Sequence, residues 1–244
     1  MAYISLTDYS LWRMTPATGE QAQLSSPRLR VIRPRWSPDG TQITVQSYPG
    51  LPDIYLVPAA GGEMHRLLPP ADEGIEREDP DWSPDGHAII YASLGTAGNS
   101  DSGIHVFDLR THTDTKLANS SGYWRPHWSP DGRLVAALTR DLQRLVIFDP
   151  VRKEWREIAR GKSLIAEWSH NGKWLYYQDL LARVQPTYRV QRAGDITERV
   201  ADCSPFLDEG APRCALAGVA PDDSLMFLID RGGSNLYAME LYER

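Results

Sequence analysis

The stretch that decides the fold is Arg35-Trp36-Ser37-Pro38-Asp39-Gly40-Thr41-Gln42-Ile43-Thr44-Val45. Its pentapeptide, Trp-Ser-Pro-Asp-Gly, is written again at 82–86 and at 128–132. Two weaker copies follow, Trp168-Ser169-His170-Asn171-Gly172 and Val219-Ala220-Pro221-Asp222-Asp223. The first residues are separated by 46, 46, 40 and 51 positions. Repetition at such a period marks stacked supersecondary units, each too small to bury a core alone.

Each residue of the pentapeptide has a physical role. Proline presets φ at the second position of a tight turn, aspartate bonds nearby backbone N–H groups, and glycine accepts positive φ. Asp39, Asp85, Asp131 and Asp222 therefore read as turn residues, and Gly40, Gly86 and Gly132 as the left-handed positions. Seven and nine residues after the first position stand Ile43 and Val45, Ile89 and Tyr91, Val135 and Ala137, and Leu175 and Tyr177. The last copy supplies Met226 and Leu228 by the same count. A spacing of two puts both side chains on one strand face. Each unit thus opens as a hairpin. Trp36, Trp82, Trp128 and Trp168 recur at one place in it and read as packing between neighbouring units.

A third β-rich run follows each hairpin, as at Asp53-Ile54-Tyr55-Leu56-Val57 and Leu145-Val146-Ile147-Phe148, and a short fourth run closes the unit. No segment has the 3.6-residue apolar period of a long helix. Four antiparallel strands per repeat describe a propeller blade. The expected class is an all-β propeller in a single domain over 1–244. The blades fall near 1–30, 31–70, 77–118, 123–160, 163–200 and 212–244. That makes six blade positions with the first incomplete, or alternatively five blades. Residues 2–6 are available as an extra strand on the last blade.

These residues resemble a known family. The repeated pentapeptide, the Ile-x-Val strands and Asp53-Ile54-Tyr55-Leu56-Val57-Pro58-Ala59-Ala60-Gly61-Gly62 are similar to the WD40-like repeat of TolB-type bacterial β-propellers, from about Leu11 to Glu240. The resemblance implies a six- or seven-bladed propeller. That unit occurs as the periplasmic Tol–Pal component, as an appendage of winged-helix regulators and as a domain of prolyl-oligopeptidase-like peptidases. The fold does not choose among these settings. No winged-helix, α/β-hydrolase or TolB N-terminal module is visible in the chain. The shared motif is structural, so it carries no partner-site residue with it.

Composition sets further limits. The 244 residues carry a formal charge of −6, which argues against nucleic acid or anionic lipid as unassisted partners. The longest clean apolar run, 225–229, is far too short to span a bilayer, so no membrane insertion is expected. Residues 1–8 show no secretory signal, which gives a cytoplasmic expectation for the chain as written, and a periplasmic one with an export signal upstream. Cys203 and Cys214 are the only cysteines. They read as two free thiols, with a bridge as the alternative in an oxidising compartment.

The search for chemistry finds no catalytic constellation. The nearest approach to a nucleophile elbow, Gly98-Asn99-Ser100-Asp101-Ser102-Gly103, has the wrong spacing. The six histidines form no metal motif, the aspartates form no calcium loop, and no cofactor or metal is expected. The Ser-Pro-Asp-Gly turns are uniform, whereas irregular sequence gathers at the opposite ends of the strands, at 69–80, 94–103, 119–126, 178–186 and 201–212. Irregular loops on a rigid scaffold are where binding usually sits. On that side stand the residues three places before each Trp, namely Arg33, Asp79 and Arg125, each followed by proline. Tyr123 and Trp124 add aromatic area, and Glu76, Arg77 and Glu78 add charge. Arg33, Asp79, Tyr123, Trp124 and Arg125 are the candidate binding residues.

The expectation is a non-enzymatic protein-interaction module that binds a protein partner through its irregular face. The alternatives are a ligand-sensing or enzymatic propeller with a channel site, in which Arg33 and Arg125 hold an anion, and a detached regulator or peptidase propeller. Partner identity and oligomeric state are not read from the sequence.

Overall fold

The computed structural model describes residues 1–26, 28–70, 74–95, 102–162, 164–194, 196–211 and 213–230, and the backbone of 234–239. Residues 98–101 of the elbow-like stretch lie outside this set. The chain divides into two compact units, Met1–Trp128 and Ser129–Arg244.

Unit 1 begins with a sheet of β1 (Ala2–Ile4), β2 (Leu11–Met14) and β3 (Gln21–Gln23), paired antiparallel in that order. The next sheet is β4 (Val31–Trp36), β5 (Gln42–Ser47), β6 (Ile54–Pro58) and β7 (His65–Arg66). A third holds β8 (Glu76–Trp82), β9 (Ala88–Leu94), β10 (Gly103–Asp108) and β11 (Thr113–Lys116). Strand β12 (Tyr123–Trp128) ends the unit and packs on β8 and β9. The pair on each second strand supplies the core: Ile43, Val45 and Ile89 are fully buried and Tyr91 nearly so. Leu11 and Val31 join Ile43 and Val45 in one cluster, and Ile54, Leu68, Tyr91 and Phe107 form another.

Unit 2 continues with β13 (Val135–Thr139), β14 (Arg144–Asp149) and β15 (Glu154–Arg160), paired in chain order. A four-stranded sheet follows, β16 (Leu164–Trp168), β17 (Trp174–Asp179), β18 (Thr187–Gln191) and β19 (Thr197–Ala201). After a five-residue helix, α1 (Ser204–Asp208), the last sheet is β20 (Arg213–Val219), β21 (Leu225–Asp230) and β22 (Ser234–Met239). This architecture is the all-β, antiparallel, blade-by-blade arrangement of a β-propeller. The pentapeptide Trp residues or their counterpart end β4, β8, β12, β16 and β20, so five blades are motif-led. The sheet β1–β3 lacks the motif.

The turns show why the pentapeptide repeats. In the first copy the Ser37 hydroxyl donates to Asp39 Oδ1, the Thr41 amide donates to the same oxygen at 3.0 Å, and the Gln42 amide donates to Ser37 Oγ at 2.9 Å. Asp85 and Asp131 are held in the same way, and Asn171 stands in for aspartate in the fourth copy. The hydrogen bond from the Ser37 hydroxyl leads the contacts that hold the Asp39 carboxyl below its ordinary range. The glycines take the left-handed conformation, with φ of +72° at Gly86.

Three expectations are corrected. First, Leu225, Phe227 and Ile229 face the core of the last blade, not Met226 and Leu228. In the first four turns the second-position amide donates to a carbonyl five residues on, as Ser37 N does to Gln42 O. In the last, Ala220 N donates to Ser224 O, only four residues on. One residue fewer in the turn moves the strand register by one and exchanges its faces. Second, Cys203 and Cys214 are bridged, with Cα atoms 6.0 Å apart. Helix α1 turns the chain back so that both cysteines enter the cluster holding Tyr176 and Phe227. Third, residues 2–4 pair with β2, Ala2 opposite Arg13 and Ile4 opposite Leu11, and are a strand of the first sheet.

Candidate binding site

The site lies within unit 1 and starts from a backbone irregularity. Arg33, Asp79 and Arg125 precede Pro34, Pro80 and Pro126, and all three have positive φ, at +58°, +50° and +52°. A side chain with a Cβ pays about 1–2 kcal/mol for that conformation, and a following proline narrows the choices further. The strand partners show the cause. In β4 the register jumps between Ile32, opposite Gln46, and Arg35, opposite Thr44. In β8 it jumps between Glu78, opposite Ala92, and Asp81, opposite Ile90. Two residues thus oppose one, which is a β-bulge. Proline has no amide to give to the ladder, and the bulge is where its absence is tolerated.

The bulge re-aims side chains. Along a regular strand neighbours point to opposite faces, yet Ile32 with Arg33, Glu78 with Asp79, and Trp124 with Arg125 line one open cavity of about 450 Å³. Gln46, Tyr48, Pro49 and Glu76 complete most of its wall. Of the five candidate residues, Arg33, Asp79, Trp124 and Arg125 come together here, and Tyr123 is not among the lining residues. Arg77, between two lining glutamates, points away and meets Asp53 at 3.4 Å and the Pro69 carbonyl at 2.7 Å. Strand order explains a further difference. The segments 76–80 and 123–126, expected as irregular loop, belong to β8 and β12, and in β8 the bulge lets the ladder run through Pro80.

Asp79 is the centre of the electrostatics. Its side chain is 7% exposed, its Oδ1 stands 3.0 Å from Arg33 Nε, and its Oδ2 stands 3.9 Å from Arg125 Nε. Its amide, displaced from the ladder, donates to Gln46 Oε1 at 3.0 Å. Asp79 Oδ2 and Trp124 Nε1 are buried without a hydrogen-bond partner among the described residues. The Arg125 guanidinium lies 4.8 Å from the centre of the Trp124 ring, within cation–π range. Burial pushes the Glu78 carboxyl up to about 7, aided by the charges of Asp79 and Glu76 and opposed by Arg33 and Arg125. Neither Glu78 nor Gln46 was singled out as a binding residue. The Glu76-x-Glu78 spacing alone was a signal, since a period of two puts both on one face.

The residues just before each Trp tie the strands together one step further along. The Trp82 indole N–H donates to the Arg35 carbonyl at 3.2 Å, and the Trp128 amide donates to Asp81 Oδ2 at 3.1 Å. His127 Nδ1 stands 3.5 Å from the same Asp81 oxygen. Among the described residues no three His, Cys, Asp or Glu side chains converge to hold a metal ion. No helix among them is long and apolar enough to cross a membrane.

Such a set of bulged, four-stranded antiparallel sheets led by a Trp-Ser-Pro-Asp-Gly turn defines a β-propeller. No family model matches the chain. It is 36% identical over 89 residues to the Tol-Pal system protein TolB of Alcanivorax borkumensis, covering 36% of this chain and 20% of that protein. It is 26% identical over 175 residues to an uncharacterised Agrobacterium fabrum protein, covering 69% of this chain and 57% of that one. The chain therefore matches less than two thirds of the length of either. Among solved structures, a TolB-type protein from Agrobacterium tumefaciens superimposes with a TM-score of 0.67 at 17% identity, over 94% of this chain and 87% of that one. An oligogalacturonate lyase from Vibrio parahaemolyticus gives 0.65 at 13% identity, over 99% and 74%. In its repeat the chain is similar to the TolB relative, and in its fold to the TolB-type propeller structure.

Proposed function

We propose that the chain is a non-enzymatic protein-interaction module that meets its partner at the end of unit 1 where Arg33, Asp79, Trp124 and Arg125 converge. One observation carries the reading: two β-bulges and a third positive-φ residue ahead of a proline, each at a conformational cost, deliver charged and aromatic side chains to one open cavity. Arginine and tryptophan are over-represented among residues that dominate protein–protein binding energy. The relative from Alcanivorax is named as a component of the Tol-Pal system, which agrees with such a role. No pair of groups at the cavity has the geometry of a nucleophile with its base. Likeness to the lyase is one of fold, and lyase chemistry does not follow from it.

The test is affinity capture from the source cell with the wild-type chain and with a Tyr123→Ala, Trp124→Ala, Arg125→Ala variant that keeps its melting curve. A defined partner, held by the wild type and lost by the variant, then reconstituted as a purified pair, supports the reading. Equal recovery by both removes this surface from the account.

A further inference from the structure

We propose that the unit 1 cavity takes a cation, and specifically the side chain of a lysine presented by the partner, with its ammonium at Glu78 and Asp79 and its stem along the apolar wall. This deepens the reading of the cavity as a protein-binding surface and rests on it.

Charge decides what the cavity attracts. Three carboxylates, Glu76, Glu78 and Asp79, share the wall with two guanidinium groups, those of Arg33 and Arg125. Both arginines already face Asp79. The acidic excess therefore falls on the two glutamates, which lie on one strand face two residues apart. Two further features show that the wall is built to receive a donor. Asp79 Oδ2 is a buried acceptor with no hydrogen bond among the described residues, and leaving such an atom unsatisfied costs on the order of 1–3 kcal/mol. Burial and like-charged neighbours outweigh Arg33 and Arg125 at Glu78, and so push its carboxyl up to about 7. An arriving ammonium adds a further positive charge beside it and donates up to three hydrogen bonds.

The strands packed against β8 are β4, β5, β6, β9 and β12. Asp79 and Glu76 face Glu78 from its own strand, Arg33 from β4 and Arg125 from β12. Strand β5 offers no titratable side chain, and β6 and β9 offer only Tyr55 and Tyr91. Apart from Gln46, whose Oε1 is taken by the Asp79 amide, the side chains of the rest of the wall are apolar or aromatic, including Ile32, Tyr48, Pro49 and Trp124. A four-carbon stem can lie there while its charged head reaches polar groups, the usual amphipathic behaviour of lysine. An anion would instead meet an excess of carboxylate.

The probe experiment uses the free, full chain and needs no partner, so its outcome is separate from that of the capture assay. The reporter is the Trp124 indole N–H resonance in 15N spectra. Titration with Nα-acetyl-lysine methylamide should shift it saturably, and its Nε-acetylated analogue should not. Between pH 6 and pH 8 the ionised fraction of a group titrating near 7 rises about tenfold, so lysine-probe affinity should rise by about that factor. Glu78→Gln should flatten the dependence while retaining the fold. Saturable binding of Nα-acetyl-glutamate methylamide in place of the lysine probe would overturn the charge assignment. Equal binding of the Nε-acetylated analogue, or tighter binding of glycinamide, would overturn the assignment to a lysine side chain. An affinity independent of pH would remove Glu78 from the site.

Discussion

Replacing Glu78 by glutamine isolates the electrostatic cost of the site in the free protein. The carboxyl is raised from an ordinary 4.5 to about 7, chiefly by burial. In that window the folded chain binds more protons than the unfolded one, so stability falls as pH rises. The penalty is absent below about 4.5 and complete above about 7. Its size by proton linkage is about 3 kcal/mol at most, taking about 1.4 kcal/mol per pH unit of displacement. Partial exposure of Glu78 makes this an upper bound. Glutamine resembles the protonated acid and cannot ionise. Wild type and Glu78→Gln should therefore be equally stable near pH 4, and the variant should be ahead by up to about 3 kcal/mol at pH 8. The turn aspartates, including Asp39 and Asp85, act oppositely: their lowered values stabilise above the ordinary carboxylate range, and that contribution is lost on further acidification. Both proteins share them, so the difference curve cancels them. Urea titrations at half-unit intervals from pH 4 to 8 give that curve. A flat difference, or a wild type that gains on the variant as pH rises, would refute the reasoning.

Trp82→Ala should destabilise the fold by about 3–5 kcal/mol in denaturant titrations, since the indole is 7% exposed and donates to the Arg35 carbonyl; Trp82→Phe, which keeps most of the buried area, should cost clearly less. Reducing the Cys203–Cys214 bridge opens a loop with a sequence separation of 11, and should lower stability by about 3 kcal/mol on the loop-entropy model, read as a fall in Tm on adding reductant. Gly86→Ala meets only Pro38 Cδ at 3.8 Å, an ordinary contact. Its cost should therefore be conformational alone, about 1 kcal/mol from the positive φ, and a much larger loss would show that the turn is sterically closed.

The scaffold was legible because its signals are local. A turn of fixed chemistry followed by a period-two apolar pair gives the hairpin, and repetition gives the blade. The one failure of register, at Met226 and Leu228, came from a turn that had lost both its serine and its glycine. A one-residue shortening leaves little trace in a sequence but turns a strand over. The disulfide depended on α1, whose five residues are too few to show helical periodicity. The site was legible in outline, since the x-Pro-x-Trp repeat pointed to Arg33, Asp79 and Arg125. Glu78 was hidden because two neighbours on a strand normally face apart, and only the bulge brings it beside Asp79. Tyr123 was drawn in by adjacency to Trp124, and strand alternation accounts for its absence from the wall.

The positive φ shared by residues 33, 79 and 125 has a consequence for how this wall can change. The conformation is set by the backbone and the proline that follows, and recurs whether arginine or the more tolerant aspartate stands there. The three positions are therefore repeated mounts in one frame, with Asp79 buried between the two arginines that face it. Changing the more exposed Arg33 rewrites what the cavity attracts at least cost to the blades, whereas changing Asp79 strips both arginines of their shared carboxylate. Selection or design can thus retune recognition at one letter of a 244-residue chain.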